Sequence, residues 1–329
     1  MARFGTPRAR LSAGLTCAVL ALAGCGGGGD AEADSGLGTL RVVLSEGQSL
    51  PFIAAEAGNS LGVWEGTGLK VETFAATSST VGPAMASGEA EISVQAGNKA
   101  AADIISGVKA KVAAGILQPW EQYIVAGKTS GATKPADLKG KSIGISGFGS
   151  AGHFATLKMA ESLGWKDSDY KIVQMGSLKA LLAGLQRGTI QAFVWSLEPA
   201  LTAEHDGYGV VMGSVAEMVG PNVFEAISVR DDVAKERPEA VKAFFEGYFK
   251  AVKILQDDPS KAVDIMVEDW KNDPDTAKRS VDAIVPLLSP DGKIPEENLK
   301  GLADAVRVTV KDAGDFDTSS MYRYWQDIG

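Results

Sequence analysis

Asp137-Leu138-Lys139-Gly140-Lys141-Ser142-Ile143-Gly144-Ile145-Ser146-Gly147-Phe148-Gly149-Ser150-Ala151-Gly152-His153 is the stretch that decides the fold. Residues 142–146 form a short apolar run, and the glycines that follow allow a tight turn off a strand. Phe154, Leu157, Ala160 and Leu163 then recur at helical spacing, so a helix starts near Ser150. Its first N–H groups and the Ser150 hydroxyl face whatever lies beyond the strand end, with His153 one turn inside as a further donor.

The same alternation runs on both sides. Residues 40–44, 69–74, 91–95 and 111–116 read as strands, with helical patterns over 51–61, 79–87 and 100–105. A second series has strands over 142–146, 171–175, 190–194 and 210–212, with helices over 154–163, 178–186 and 197–204. Such alternation implies an α/β fold with mostly parallel sheets covered on both faces, built twice. The extended segments 123–126 and 224–229 read as two hinge crossings. Lobe 1 is then residues 39–125 plus 226–329, and lobe 2 is residues 126–225. Two sequential domains would leave the helical tail without a sheet to cover. That tail carries one apolar stripe, Val241, Phe244, Phe245, Tyr248, Val252 and Leu255, on a helix that Pro238 opens. Asp273 and Pro274 begin a second helix, and Pro295 a third, running to about Lys311.

The N-terminus speaks of location. Arg3, Arg8 and Arg10 precede an apolar run over 11–22, then Leu22-Ala23-Gly24-Cys25 and four glycines, the anatomy of an export signal too short to span a bilayer as a stable helix. Residues 1–24 are expected to be removed, and residues 25–38, rich in Gly, Asp, Ala, Glu and Ser, to form a flexible tether. Cleavage takes away three arginines and no acids, turning 32 basic against 41 acidic residues into 29 against 41, a net charge of −12. An acidic chain without a basic block argues against nucleic acid and anionic headgroups as partners. Only Cys25 remains as a cysteine, which excludes an intrachain disulfide, and two histidines, His153 and His205, give no metal site. No cofactor is implied. Gly-x-Ser-x-Gly, phosphate-loop and His-Glu-x-x-His motifs are absent, so no catalytic residue is assigned.

The 137–153 stretch is similar to the opening of the second lobe in the sulfonate, nitrate and taurine group of ABC-importer solute-binding proteins, related to the thiamine-pyrimidine-precursor binders. Two further stretches carry the resemblance: Ala84-Met85-Ala86-Ser87-Gly88-Glu89-Ala90-Glu91-Ile92, and Trp195-Ser196-Leu197-Glu198-Pro199, like the group's aromatic-x-x-Glu-Pro turn. Leu-Ala-Gly-Cys25 resembles the bacterial lipobox, which implies a lipid on Cys25. The resemblance covers about residues 40–320. It implies a two-lobed periplasmic-binding-protein fold of type II and an exported, lipid-anchored, monomeric protein of the bacterial cell envelope. Such a protein delivers a small solute to the transmembrane subunits of an ABC permease. A branch with this fold makes the thiamine pyrimidine using a lysine, a histidine and a cysteine-rich metal motif. The body after Cys25 has no cysteine and the start of lobe 1 no histidine, so a non-enzyme is expected. A ligand sensor for a membrane receptor is the third class.

Ligands of open α/β sheets sit beyond the strand ends. The loops there supply Gln48 and Ser49, then Ser78, Ser79 and Thr80, then Gln95 and Asn98, then Trp120 from the first lobe. The second supplies Phe148, Ser150, His153, Trp195 and Glu198. Arginine and lysine are missing from these loops, so a negative group would meet helix N-termini and hydroxyls rather than a guanidinium fork. Glu46 and Glu198 can receive an amine or a ring N–H. The expected solute is small and anionic or zwitterionic, of the sulfonate, nitrate or taurine kind, and an aromatic one can lie flat on Trp120, Phe148 or Trp195.

Overall fold

The computed structural model describes residues 36–310 and 313–329; the expected signal segment, Cys25 and Lys311 lie outside the described residues. The chain begins with strands β1 (Gly38–Leu44), β2 (Leu69–Ala75), β3 (Ile92–Ala96) and β4 (Ala110–Leu117), connected through helices α1 (Ile53–Ala57), α2 (Val81–Ser87) and α3 (Gly97–Ile105). Next come β5 (Tyr123–Gly127), β6 (Ser142–Ile145), β7 (Lys171–Gln174), β8 (Ala192–Trp195) and β9 (Gly209–Ser214), with α4 (Ala151–Ser162), α5 (Leu178–Gln186), α6 (Leu197–His205) and α7 (Ala216–Val219). Strand β10 (Glu225–Arg230) precedes α8 (Asp231–Glu236), α9 (Pro238–Asp257), α10 (Ser260–Asp264), α11 (Pro274–Ile284) and α12 (Glu296–Thr309).

Two five-stranded sheets share one plan, ordered β2-β1-β3-β10-β4 and β7-β6-β8-β5-β9. β1 is parallel to β2 and β3, and β6 to β7 and β8, whereas β10 and β5 run antiparallel to both of their neighbours. Each sheet is therefore mixed, with a single reversed strand fourth in the row. These reversed strands are the segments that the sequence reading makes hinge crossings. The chain instead passes between the sheets over 118–122 and 215–224. Ile124, Val125, Ala126, Ala226, Ile227 and Val229 are all buried. A buried extended segment outside a ladder would leave its N–H and C=O groups unpaired, so both segments join a sheet.

Local chemistry sets the helix bounds. Ser150, in extended conformation, caps α4 by accepting from the backbone N–H of His153 at 3.2 Å. Asp273 caps α11 in the same way, accepting from Thr276 N–H at 3.0 Å. The helix expected over 51–61 is regular over Ile53–Ala57 and continues as turns, with the Leu61 N–H on the Ala57 carbonyl at 2.9 Å, while the Trp64 ring folds over Gly58, within 2.3 Å of where a Cβ would sit. Trp64 stacks on Phe244 of α9 at 5.8 Å and donates from Nε1 to the Phe244 carbonyl, so the apolar stripe of α9 is core against the first sheet. Gly247 leaves room for that ring, since a Cβ there would lie 2.2 Å from Trp64 Nε1. Gly247→Ala is expected to destabilise the protein by about 1–3 kcal/mol through overpacking, read as a lower urea midpoint with unchanged slope.

Side chains also tie the two sheets' halves together. Asn98 of α3 donates from Nδ2 to the Gly149 carbonyl at 2.9 Å, and Asn272, before α11, donates to Glu198 Oε1 of α6 at 2.6 Å.

Candidate functional site

The reversed strands explain where the site lies. Because β10 and β5 run against their neighbours, each starts at the rim where the parallel strands end, so Glu225 and Gln122 arrive beside the loops after β1, β3, β6 and β8. Between the two rims is a cavity of about 140 Å³. From the first sheet it is lined by Ser45, Glu46, Gly47, Ser49 and Phe52, by Ala76, Thr77 and Ser78, by Ala96, and by Phe224 and Glu225. The second sheet contributes Gln122, Ser146, Ser150, Ala151, Gly152, Gly176, Ser177, Leu178, Trp195 and Ser196.

Two electrostatic characters meet there. On the second-sheet side, α4 and α5 present their first turns, whose leading N–H groups have no partner within the helix. On the first-sheet side stand carboxyl groups. Glu225 is 6% exposed, and its Oε2 has no hydrogen-bond partner. Burial, reinforced by Glu46 and Glu121, holds its carboxyl well above the ordinary range. Burial, together with Glu198 and Glu56, pushes Glu46 up to about 8. Glu121 accepts from the Leu197 N–H at 3.1 Å at the start of α6, yet burial still pushes it to about 8. Burial raises Glu198 to about 6, while hydrogen bonds from Asn272 and Thr202 pull the other way. Among the described residues no lysine, arginine or histidine lines the cavity.

Of the residues expected from sequence, Ser49, Ser78, Ser150 and Trp195 line this cavity. Gln48 and Glu198 line a small recess beside it, with Pro51, Pro199 and Ile284. Ser79 and Thr80 are exposed and close the turn with Thr77: its hydroxyl lies 3.0 Å from both of theirs. The remaining five do not line it. Gln95 is buried against Ser93 and Asp103, beneath α3. Asn98 is fully buried and donates from Nδ2 to the Gly149 carbonyl, while its Oδ1 has no partner among the described residues. Trp120, 2% exposed, lies 5.1 Å from Phe154 and 5.2 Å from Phe224 and donates to Gln122 Oε1, so it is the core of the crossing. His153 Nδ1 accepts from the Gly149 N–H at 3.0 Å and braces the turn, and burial lowers the imidazole pKa. Phe148 is 65% exposed and meets His153 edge-on.

The residues expected from sequence do not include Glu225, Gln122, Ser146 and Ser196, which line the cavity. A charged residue opening the apolar run Glu225-Ala226-Ile227-Ser228-Val229 was the available signal. Ser150→Ala should cost the protein about 0.5–2 kcal/mol through the lost cap, measured as denaturant stability without solute. Among the described residues no group of three or more His, Cys, Asp or Glu side chains could hold a metal ion, and no helix is long and apolar enough to cross a membrane.

Comparison with solved structures fixes the fold. The alkanesulfonate-binding protein SsuA from Xanthomonas axonopodis pv. citri, bound to MOPS, superposes with a TM-score of 0.71 at 16% identity, over 83% of this chain and 94% of that one. The periplasmic aliphatic sulphonate-binding protein SsuA from Escherichia coli gives 0.71 at 13% identity, over 87% and 92%. The periplasmic nitrate-binding protein NrtA from Synechocystis PCC 6803 gives 0.63 at 14%, over 75% and 70%. These likenesses establish the periplasmic-binding-protein fold. No curated protein matches the chain. The family model described as "NMT1/THI5 like" matches residues 48–262, well over half the chain, and the chain therefore belongs to the NMT1/THI5-like family.

Proposed function

We propose that this protein is the solute-binding component of an ABC importer, capturing a small polar solute between two lobes and handing it to a membrane permease. The observation that carries this reading is the polar cavity between the facing rims of the two sheets, lined from both sides and closed behind by the crossings at 118–122 and 215–224. A ligand touching both rims stabilises the state in which they approach. The likeness to sulfonate- and nitrate-binding proteins supports a transport role. The lobes in this reading are the portions of chain carrying each sheet, as the sequence boundaries at 125/126 and 225/226 approximate.

Export and a lipid on Cys25 belong to the same reading and rest on the Leu-Ala-Gly-Cys25 signature. Burial of lipid contributes about 0.8 kcal/mol per methylene, so two or more chains anchor firmly. The test of binding is a thermal-shift panel of alkanesulfonates, nitrate, taurine, amino acids and alkylamines, followed by small-angle scattering with whichever raises the melting temperature. Saturation a hundredfold above Kd stabilises by about 2.7 kcal/mol, and the scattering radius should fall. Chemical conversion of a bound solute by the pure protein would replace this reading with catalysis.

A further inference from the structure

Resting on the solute-binding reading, we infer that the solute carries a protonated nitrogen, seated on Glu225 and Glu46 at the first-sheet rim of the cavity. Four observations converge. Glu225 and Glu46 line one cavity. Glu225 is almost fully buried, with an unpartnered Oε2. Among the described residues no basic side chain lines the cavity to balance them. The groups that face the pair add negative charge rather than relieve it: Glu56 and Glu198 beside Glu46, and Glu121 beside Glu225, with the buried Tyr248 hydroxyl of α9 also near Glu225 and itself unpartnered.

A buried carboxylate left without donor or counter-ion is among the costliest arrangements in a protein interior. The empty protein meets that cost by keeping a proton on the pair, consistent with both groups titrating above their ordinary range. A nitrate or a simple alkanesulfonate brings neither a donor nor a positive charge to this rim. An ammonium group supplies donors and charge together, and its arrival drives a proton from the pair into solvent. The opposite rim takes acceptors: Ser150, Ser177 and the first turns of α4 and α5 can hold a carboxylate, sulfonate or carbonyl oxygen at the solute's other end. The cavity thus has a donor-seeking rim and an acceptor-seeking rim.

The experiment is titration calorimetry at pH 7 with paired probes: alkylammonium ions, α- and ω-amino acids and taurine, each beside the same molecule lacking the nitrogen. Only nitrogen-bearing probes should bind, and heats in buffers of different ionisation enthalpy should give release of close to one proton per site. Affinity should rise as pH rises from 6 to 8. Zwitterions outbinding plain alkylammonium ions place acceptor oxygens on the second-sheet rim; the reverse order leaves the nitrogen as the whole determinant. Both orders support the inference. Glu225→Gln and Glu46→Gln should each weaken the best probe at least tenfold while circular dichroism and melting show a folded protein. Binding of a nitrogen-free anion, or a bound amine with no proton release and wild-type affinity in both variants, overturns the inference while leaving the solute-binding reading intact. A panel in which nothing binds removes both.

Discussion

Trp120→Ala is expected to cost about 3–5 kcal/mol of folding stability, among the largest effects of any single truncation in this chain. The ring is buried in the first crossing, packed edge-on against Phe154 of α4 and tilted against Phe224 of the second crossing, with its N–H satisfied by Gln122. It therefore joins both crossings to the second-sheet unit. Truncation leaves a cavity among three elements and strips Gln122 Oε1 of its donor. Urea denaturation checks the magnitude. Trp120→Phe should recover a good part of the loss by refilling the space without the hydrogen bond. Full stability in Trp120→Ala, accompanied by weaker solute binding, would instead restore the ring to the cleft wall where its sequence position first put it.

The second large effect concerns pH. The solute-free protein is expected to melt at a lower temperature at pH 9 than at pH 5. Glu46 and Glu121 titrate near 8, Glu198 near 6 and Glu225 well above its ordinary value, against 4.5 for a free glutamate. The folded protein thus binds these protons more tightly than the unfolded chain does. Stability is complete below about 4.5 and falls as pH rises through 6 to 8 and beyond. The sum is on the order of a few kcal/mol, since a tenfold difference in proton affinity between folded and unfolded chain corresponds to about 1.4 kcal/mol and partial solvation discounts it. A contrary set acts at lower pH. Hydrogen bonds hold Asp137, Asp169 and Asp273 below their ordinary value, and their contribution is lost as pH falls below about 4. Maximum stability should lie near pH 5. Glu225→Gln should raise the melting temperature at pH 8 and flatten the profile; a melting temperature that climbs steadily from pH 5 to 9 would refute the assignment.

Much of this was legible in the chain. The apolar run, glycine turn and helical stripe over 142–163 gave β6, the Ser150 cap and α4, because each depends on chemistry within one turn of itself. The stripe of α9 and the Asp273 cap were equally local. The reversal of β5 and β10 was not legible, since an extended apolar segment looks the same whichever way it enters a sheet. That reversal carries Glu225 and Gln122 to the rim, while Trp120, only two residues from Gln122, turns into the core. Position after a strand identified loops such as 45–49 and 77–78, but it could not say which way Gln95 or Asn98 would face.

The place of β10 between β3 and β4 also orders events in time. All five strands of the second sheet lie in one unbroken stretch, from Tyr123 to Ser214, and can assemble from contacts among themselves. The first sheet cannot be completed that way. Once β4 has formed, the strand that will join it to β3 lies more than a hundred residues further along the chain. The N-terminal part of the chain must wait, partly assembled, while the middle folds, and long-range closures of this kind are slow. The cavity comes into being with that final insertion, because Glu225 is the first residue of the inserted strand. A chain interrupted before Glu225 would hold a finished second sheet, a broken first one and no binding site.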